Sequence, residues 1–258
     1  MKKILFAVTL AAALPVMAEE AAPTPAPQYN NPSDPWEGFN RKMYAVHDAI
    51  DSVVLKPVAK GYETAMPLPA RMGVHNFFSN LWEPARAGNG MLQGKPKSGF
   101  TSLGRFLINS TLGIFGLFDV ASELDIDQQE ADLGQTLATW GVPSGPYLFV
   151  PLFGPTTLRD FPSNLVEQQY AYPLSPHYVD HVPTRNSVIA ARVVDLRAGL
   201  LPTDKLLEQA ALDPYAYIRS AWLQHRASVT GEAFPSAHDD NGSHADDDAV
   251  DDAAAQQP

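Results

Sequence analysis

The sequence predicts an all-α protein with one short extended or hairpin segment near 141–153. Three observations carry this: apolar residues recur at helical spacing through most of 34–231, 16 of the chain's 23 prolines fall there and break that pattern into separate runs, and only Tyr147 to Phe153 reads as extended chain. Pro151 demotes that extended stretch to an edge strand or hairpin arm.

In chain order, Lys2 and Lys3, the apolar run Ile4 to Leu14 and the small-residue pattern Val16-Met17-Ala18 read as a cleavable export signal over 1–18. Residues 19–33, with four prolines and one aromatic residue, read as an extended tether. Asp34-Pro35-Trp36-Glu37 has the form of a helix start, with Asp34 as N-cap and Glu37 closing a capping box. Trp36, Phe39, Met43, Val46, Ile50 and Val53 then mark one helix face to about Leu55, and Pro57 ends or kinks the helix. Further helices are expected over about 68–93, 96–113, 156–169, 184–200 and 204–211, the last capped by Thr203. A final helix, capped by Asp213 with Pro214 at its first position, runs to about Ser228, with Ile218, Ala221, Trp222 and His225 on one face. Residues 232–258, with eight acidic residues and no Lys or Arg, are expected to be a disordered acidic tail, since they cannot bury enough apolar surface to offset ordering entropy.

Charge is unevenly placed. Of the formal −11, the tail contributes −8 and the signal +2, leaving −5 on 19–231. An acidic chain lacks the basic stripe a nucleic-acid binder needs, so no nucleic-acid partner is expected. The chain has no cysteine, which excludes thiolate metal sites, a catalytic thiol and thioether lipidation.

Catalytic motifs are not legible. There is no G-x-S-x-G elbow and no phosphate-binding loop, and Gly88, Gly90 and Gly94 lack dinucleotide spacing. His177 and His181 have i, i+4 spacing, but Pro173, Pro176 and Pro183 crowd them, so no metal site is expected there. The Asp-rich tail does not match a calcium loop. No metal and no cofactor is expected, and the chain is not read as an enzyme.

Phe106 to Phe118 stands apart: thirteen residues without a charge, bounded by Arg105 and Asp119. A helix of that length reaches about 20 Å, short of the roughly 30 Å needed to cross a bilayer. Periodicity leaves two readings open, a buried core helix and a segment that dips into one leaflet.

Several strings resemble one family. Asp34-Pro35-Trp36-Glu37-Gly38-Phe39-Asn40-Arg41, Asn76 to Pro84 (NFFSNLWEP), Gly104 to Gly113 (GRFLINSTLG), Asp132 to Leu137 (DLGQTL) running into Trp140 to Tyr147 (WGVPSGPY), and Leu158-Arg159-Asp160 are similar to blocks of the MlaA (VacJ) family of outer-membrane phospholipid-handling proteins, in the same order. The resemblance covers about 34–231. It implies a ring-shaped helical fold in the inner leaflet of the outer membrane, with a central amphipathic channel. It further implies that mislocalised phospholipid is removed from the outer leaflet and passed to a periplasmic lipid carrier of the Mla pathway, with docking on outer-membrane porin trimers. Under that resemblance the leaflet reading of 106–118 gains weight, with Phe106, Leu107, Leu112, Ile114, Phe115, Leu117 and Phe118 as the membrane-embedded face. Candidate polar channel lining is Asn40, Arg41, Asn76, Asn80 and Asn109, each of which could instead be a buried hydrogen-bonding residue. Gly141, Pro143 and Gly145 lie in a loop that in the family sits by the channel as a gate.

The sequence departs from the family in having no cysteine to acylate, so the protein is expected to be held at the membrane by its apolar faces and a porin partner. Two other readings are compatible with the residues: a porin-associated scaffold without transport, and a periplasmic phospholipid hydrolase.

Overall fold

The computed structural model describes residues 32–175 and 177–233. The export signal, the tether up to residue 31 and the tail from 234 on lie outside them. Ser33 and Glu232, assigned by sequence to the tether and the tail, both join the fold: the Ser33 carbonyl accepts from the Tyr147 N–H (3.1 Å), and the Glu232 carboxylate takes a two-pronged bond from Arg159 (2.8 and 2.9 Å).

Residues 37–65 are helical throughout, as α1 (Glu37–Ile50), a π-helical turn (Asp51–Leu55) and α2 (Lys56–Ala65). Pro57 accounts for the turn. Its ring would meet the carbonyl four residues back in a regular α-helix and it has no N–H to donate, and the wider π turn accommodates both. Asp34 does not cap α1, contrary to the sequence reading. Trp36 occupies the N-cap position without a side-chain bond, and Asp34 turns inward to accept from Asn40 (2.7 Å), Arg219 (2.9 Å) and Tyr215. A charge-assisted bond from a buried guanidinium outweighs an exposed cap bond.

The run expected over 68–93 divides into α3 (Leu68–Asn80) and α4 (Glu83–Leu92), because Pro84 takes the first turn of a new helix, where its missing N–H costs nothing. Then come α5 (Pro96–Thr111) and two short helices unmarked by the sequence reading, α6 (Val120–Glu123) and α7 (Leu133–Thr139), each N-capped by an aspartate, Asp119 and Asp132. The extended segment is an antiparallel hairpin, β1 (Tyr147–Val150) with β2 (Gly154–Thr157), in the register Tyr147 to Thr157 and Val150 to Gly154. β2 uses the residues expected to open a helix at 156, so α8 (Asp160–Tyr170) starts later.

The two helices expected over 184–200 and 204–211 are one, α9 (Val182–Ala210), with Pro202 inside it. Thr203 therefore caps nothing. Arg197 bridges the proline, bonding Asp204 beyond it (2.7 Å) and Asp51 of the π turn (2.5 Å), while Ala198 and Leu201 pack on Ala59 of α2. These tertiary contacts keep continuous what local signals would break. The last helix, α10 (Pro214–Thr230), starts as read, with the Asp213 carboxylate accepting from the Ala216 N–H.

The main apolar cluster is small and aromatic. Tyr147 and Phe149 of β1 meet Tyr215 and Leu223 of α10, flanked by Met43, Tyr44, Ile218 and Trp222. Tyr44 packs edge-on to Phe149 with ring centroids 5.4 Å apart. Asn40 locks the hairpin to α1: it donates to the Tyr147 carbonyl (3.1 Å) and accepts from the Phe149 N–H (2.9 Å).

Elsewhere the usual distribution is inverted. Along the α1 stripe, Trp36, Phe39, Val46 and Val53 are exposed, and the buried residue of α1 is Asn40. On α5 the buried residues are Gly99, Ser102, Arg105 and Asn109, while Phe100, Leu103 and Leu107 face outward. Buried Glu83, Arg105, Asp160, Arg159, Arg219 and Arg226 form ion pairs in the interior. Large apolar patches on the outside of a protein mark a surface meant for a partner or for lipid.

The uncharged segment follows this rule and is not a core helix. α5 ends at Thr111, and 112–118 fold into a tight loop in which Ile114 (φ 51°), Phe115 (φ 58°) and Gly116 (φ 87°) are left-handed. A Cβ on Gly113 would stand 2.1 Å from the Phe118 carbonyl oxygen, so only glycine permits the closure. Leu107, Leu112, Ile114, Phe115, Leu117 and Phe118 are exposed and Phe106 is half-buried. Among the described residues no helix is long and apolar enough to cross a membrane.

Candidate functional site

Two adjoining cavities lie among the helices. The larger, about 530 Å³, is walled by α3 (His75, Phe78, Ser79), Trp82, Arg86 of α4, Gln128 and Glu130 to Asp132, Gln135 of α7, Glu167 of α8, Arg192 and Asp195 of α9, and Arg226 of α10. The smaller, about 160 Å³, is walled by Asn76, Asn80, Glu83, Arg105, Asn109 and Asp119. His75, Ser79 and Gln128 line both.

Of the five polar residues singled out by sequence, the structure brings three together. Asn76, Asn80 and Asn109 line the smaller cavity. Asn109 is buried and used on both sides, donating to Asp119 (2.9 Å) and accepting from the Ala121 N–H (2.8 Å). Asn80 donates to the Ser110 hydroxyl (2.9 Å), and its buried carbonyl oxygen has no partner. Asn76 reaches the Leu117 carbonyl (3.3 Å). Together they tie the 112–118 loop to α3 and α5. Asn40 and Arg41 line neither cavity. Asn40 is 0% exposed with its amide group fully engaged, and Arg41 joins Glu37 (2.7 Å) to Asp213 (2.6 Å) beside the Tyr215 ring. Both are fastenings between α1, β1 and α10.

The loop 141–146 leaves α7 for β1. Gly141 (φ 88°) and Gly145 (φ 68°) are both left-handed, and Pro143 between them is exposed. Arg159 anchors the loop twice, donating to the Val142 carbonyl (2.9 Å) through its side chain and to the Ser144 carbonyl (3.0 Å) through its backbone, and the Leu158 N–H donates to the Pro146 carbonyl (3.1 Å). His177 packs against Tyr170 and Tyr178, and His181 caps α9 through Thr184, so the two serve separate ends of one connection.

The larger cavity is rich in ionisable groups. Burial pushes the Glu167 carboxyl up to about 7; it accepts from Asn89 (2.5 Å) and from the Leu133 N–H (3.3 Å). Burial also acts on Asp132, but the Arg226 guanidinium outweighs it and holds that carboxyl below its usual range. His75 is raised by its bond to Asp195 (3.2 Å). Arg86 and Arg192 are lowered by burial. His75 and Asp195 have the form of a base and its orienting carboxylate, and Ser79 lies one turn further along α3. Yet the Ser79 hydroxyl takes a bond from Gln128 (2.8 Å) and is not bonded to His75, so no nucleophile is assembled there.

Sequence reasoning missed Arg86, Arg192, Asp195 and Glu167. A signal existed for two of them: Arg192 and Asp195 are isolated charges three apart in the apolar run Val188 to Val194 and beyond, and a charge inside an apolar helical run often faces a polar interior.

An all-helical fold that encloses an arginine-bearing polar cavity and turns apolar side chains outward defines a class of protein suited to apolar surroundings. Within that class the chain belongs to the MlaA family: the family model described as MlaA lipoprotein matches residues 32–229. It is 36% identical over 209 residues to the Intermembrane phospholipid transport system lipoprotein MlaA of Escherichia coli, covering 79% of this chain and 81% of that one. An uncharacterised protein of Rickettsia typhi is 36% identical over 202 residues, covering 78% and 79%. A solved structure described as "Structural basis for maintenance of bacterial outer membrane lipid asymmetry" superposes with a TM-score of 0.65 at 36% identity, covering 77% of this chain and 99% of that one.

Proposed function

We propose that the protein is the outer-membrane component of a phospholipid transport system that maintains lipid asymmetry. It takes mislocalised phospholipid from the outer leaflet through an amphipathic passage and passes it to a periplasmic lipid carrier. The observation that carries this reading is the inverted distribution of side chains: apolar residues outside, and within, a cavity of about 530 Å³ lined by charged and aromatic groups. The family membership and the names of the relatives support the same reading.

The physical task is to move a zwitterionic or anionic headgroup past hydrocarbon. Bringing a charged group into an apolar medium is expensive unless it is paired or hydrogen-bonded, and a polar cavity beside apolar walls lowers that cost without an energy source. The exposed residues Leu107, Leu112, Ile114, Phe115, Leu117 and Phe118, with Phe106 behind them, form the membrane-embedded face in this proposal. They seat the protein in the inner leaflet of the outer membrane, docked on a porin trimer. With no cysteine in the chain to acylate, these apolar faces carry the anchoring. The smaller cavity with Asn76, Asn80 and Asn109 adjoins the path, and the Gly141–Gly145 loop with Pro143 gates it. The chemistry is passive and not enzymatic.

The test is outer-leaflet phospholipid in a strain lacking the endogenous protein and complemented with this chain. Restored asymmetry is expected. Surface phospholipid left at the deletion level, with the protein folded in the outer membrane, would refute transport, and release of free fatty acid by the purified protein would point to a hydrolase.

A further inference from the structure

Arg192 differs from the other arginines of the larger cavity. Arg86 bonds Glu83 (3.4 Å), and Arg226 bonds both Asp132 (2.7 Å) and Asp160 (2.8 Å). Among the described residues Arg192 has no carboxylate and no hydrogen-bond acceptor in reach. Its guanidinium carbon lies instead 5.0 Å from the centre of the Trp82 ring and 4.7 Å from that of Tyr172, two rings stacked on each other at 5.0 Å and 28°.

That environment sets two aromatic rings beside the charge while leaving its N–H donors without an acceptor among the described residues. Cation–π contact satisfies the positive charge only over the faces of the group, whereas the N–H bonds point along its edge. Half-burying a guanidinium that lacks a carboxylate carries part of the cost of burying an unpaired charge, and an anion arriving at its N–H edge offsets it. Trp82 and Arg192 both line the cavity wall, and Arg86 contributes a second positive charge to the same space.

We propose that Arg192, held by Trp82 and Tyr172, is the phosphate-binding group of the larger cavity and receives the phosphate of a phospholipid headgroup in transit. The chemistry recognised is a phosphate monoanion or diester, which a lipid headgroup and free phosphate both present. This rests on the transport reading above and adds to it the place where the headgroup pauses. Two-pronged guanidinium geometry suits phosphate oxygens.

The experiment uses the full chain, purified in detergent and equilibrated with radiolabelled phosphatidylethanolamine, with diacylglycerol of the same acyl chains, or with inorganic phosphate. Arg192→Gln is expected to weaken phosphatidylethanolamine retention by about tenfold or more, the scale of a lost charge-assisted pair. Diacylglycerol retention is expected to be unchanged, and Arg192→Lys to recover part of the loss. Arg185→Gln, on α9 outside the cavity wall, serves as comparator and is expected to retain lipid like the parent. Equal phosphatidylethanolamine retention by the parent and Arg192→Gln, with unchanged melting, overturns the assignment and leaves transport standing. Equal loss of diacylglycerol in Arg192→Gln or Arg192→Lys also overturns it, since the cavity rather than the phosphate contact has then been lost. Tight binding of inorganic phosphate that is lost in Arg192→Gln, with phosphatidylethanolamine retention unchanged by the same substitution, assigns the site to free phosphate and refutes the lipid. Failure of the parent to retain any phospholipid refutes the transport reading itself.

Discussion

Arg105 and Asp119, the two charges that bound the uncharged stretch 106–118 in sequence, close on each other in space, with Arg105 Nη2 2.9 Å from both Asp119 carboxylate oxygens. The apolar segment is thereby an excursion with a charged base. The same guanidinium reaches inward to Glu83 (3.1 Å) and bonds the Ser122 hydroxyl (3.2 Å) and the Ile126 carbonyl, so one side chain joins the apolar loop to α4, α6 and the chain beyond. The loop can present its apolar side chains outward because its polar footing is satisfied underneath.

Removing Arg105 is therefore expected to be among the most damaging single changes. Its side chain is 2% exposed and that of Glu83 is 1%, so Arg105→Gln leaves a buried carboxylate with only the longer contact to Arg86 (3.4 Å) as its cation. A loss of about 3–5 kcal/mol is expected in denaturant unfolding. Asp119→Asn, at a side chain 31% exposed, is expected to cost clearly less. Equal losses for the two would show that the Glu83 contact is not the dominant one.

A charge at the tip of the loop should act on the membrane and not on the fold. Phe115 is 77% exposed, so Phe115→Asp removes little internal packing. If the loop enters hydrocarbon, an aspartate there costs about 2.5–3.5 kcal/mol, roughly a hundredfold in partitioning. Flotation of the full chain with phosphatidylethanolamine–phosphatidylglycerol vesicles is expected to fall accordingly while the melting temperature holds. Unchanged flotation would place the tip outside the bilayer.

Local signals in this chain were readable and distant ones were not. Asp213 with Pro214 starts α10 as read, because a cap and a first-turn proline act over three or four residues. Asp34 carried the same local signature and failed it, because Arg219, 185 residues away, competes for its carboxylate. The stripe from Trp36 to Val53 was legible as a face, but periodicity says nothing about what a face meets, and here it meets the outside. The split between α3 and α4 could be read from Pro84, whereas the continuity of α9 through Pro202 depends on Arg197, Asp51 and Ala59. Of the cavity lining, Asn76, Asn80 and Asn109 are named by the sequence as candidates and Arg192 and Asp195 leave a signal in an apolar run, whereas Arg86 and Glu167 join them only through the helix packing that gathers α3, α4, α8 and α9 around one space.

The loop 141–146 offers a graded test of gating. Gly141 and Gly145 adopt φ of 88° and 68°, where a Cβ costs about 1–2 kcal/mol. A Cβ at 141 would stand in open space, whereas at 145 it would come 3.2 Å from the Leu158 Cβ. Gly145→Ala is thus expected to perturb the loop more than Gly141→Ala, and both are expected to raise outer-leaflet phospholipid in that order with the protein still in the membrane. Wild-type asymmetry in both would leave the loop a simple turn.

Glu167 gives the fold a dependence on pH whose sign follows from its burial. Its carboxyl is pushed from about 4.5 to about 7, so the native state binds this proton more tightly than the unfolded chain does. Such a group stabilises below its unfolded value, and that contribution is lost as pH rises through about 7. The difference is on the order of 3 kcal/mol across that window. Around it, Asp132 favours the protonated form, while Arg86 and the donors Asn89 and Leu133 N–H favour the charged one. Glu167→Gln mimics the neutral acid and keeps an acceptor for Asn89. Relative to the parent, this variant is expected to gain stability as pH rises from 5 to 8, seen as diverging melting temperatures. Parallel curves over that range would mean that Glu167 is charged throughout, and that the cavity is wetter than its geometry indicates.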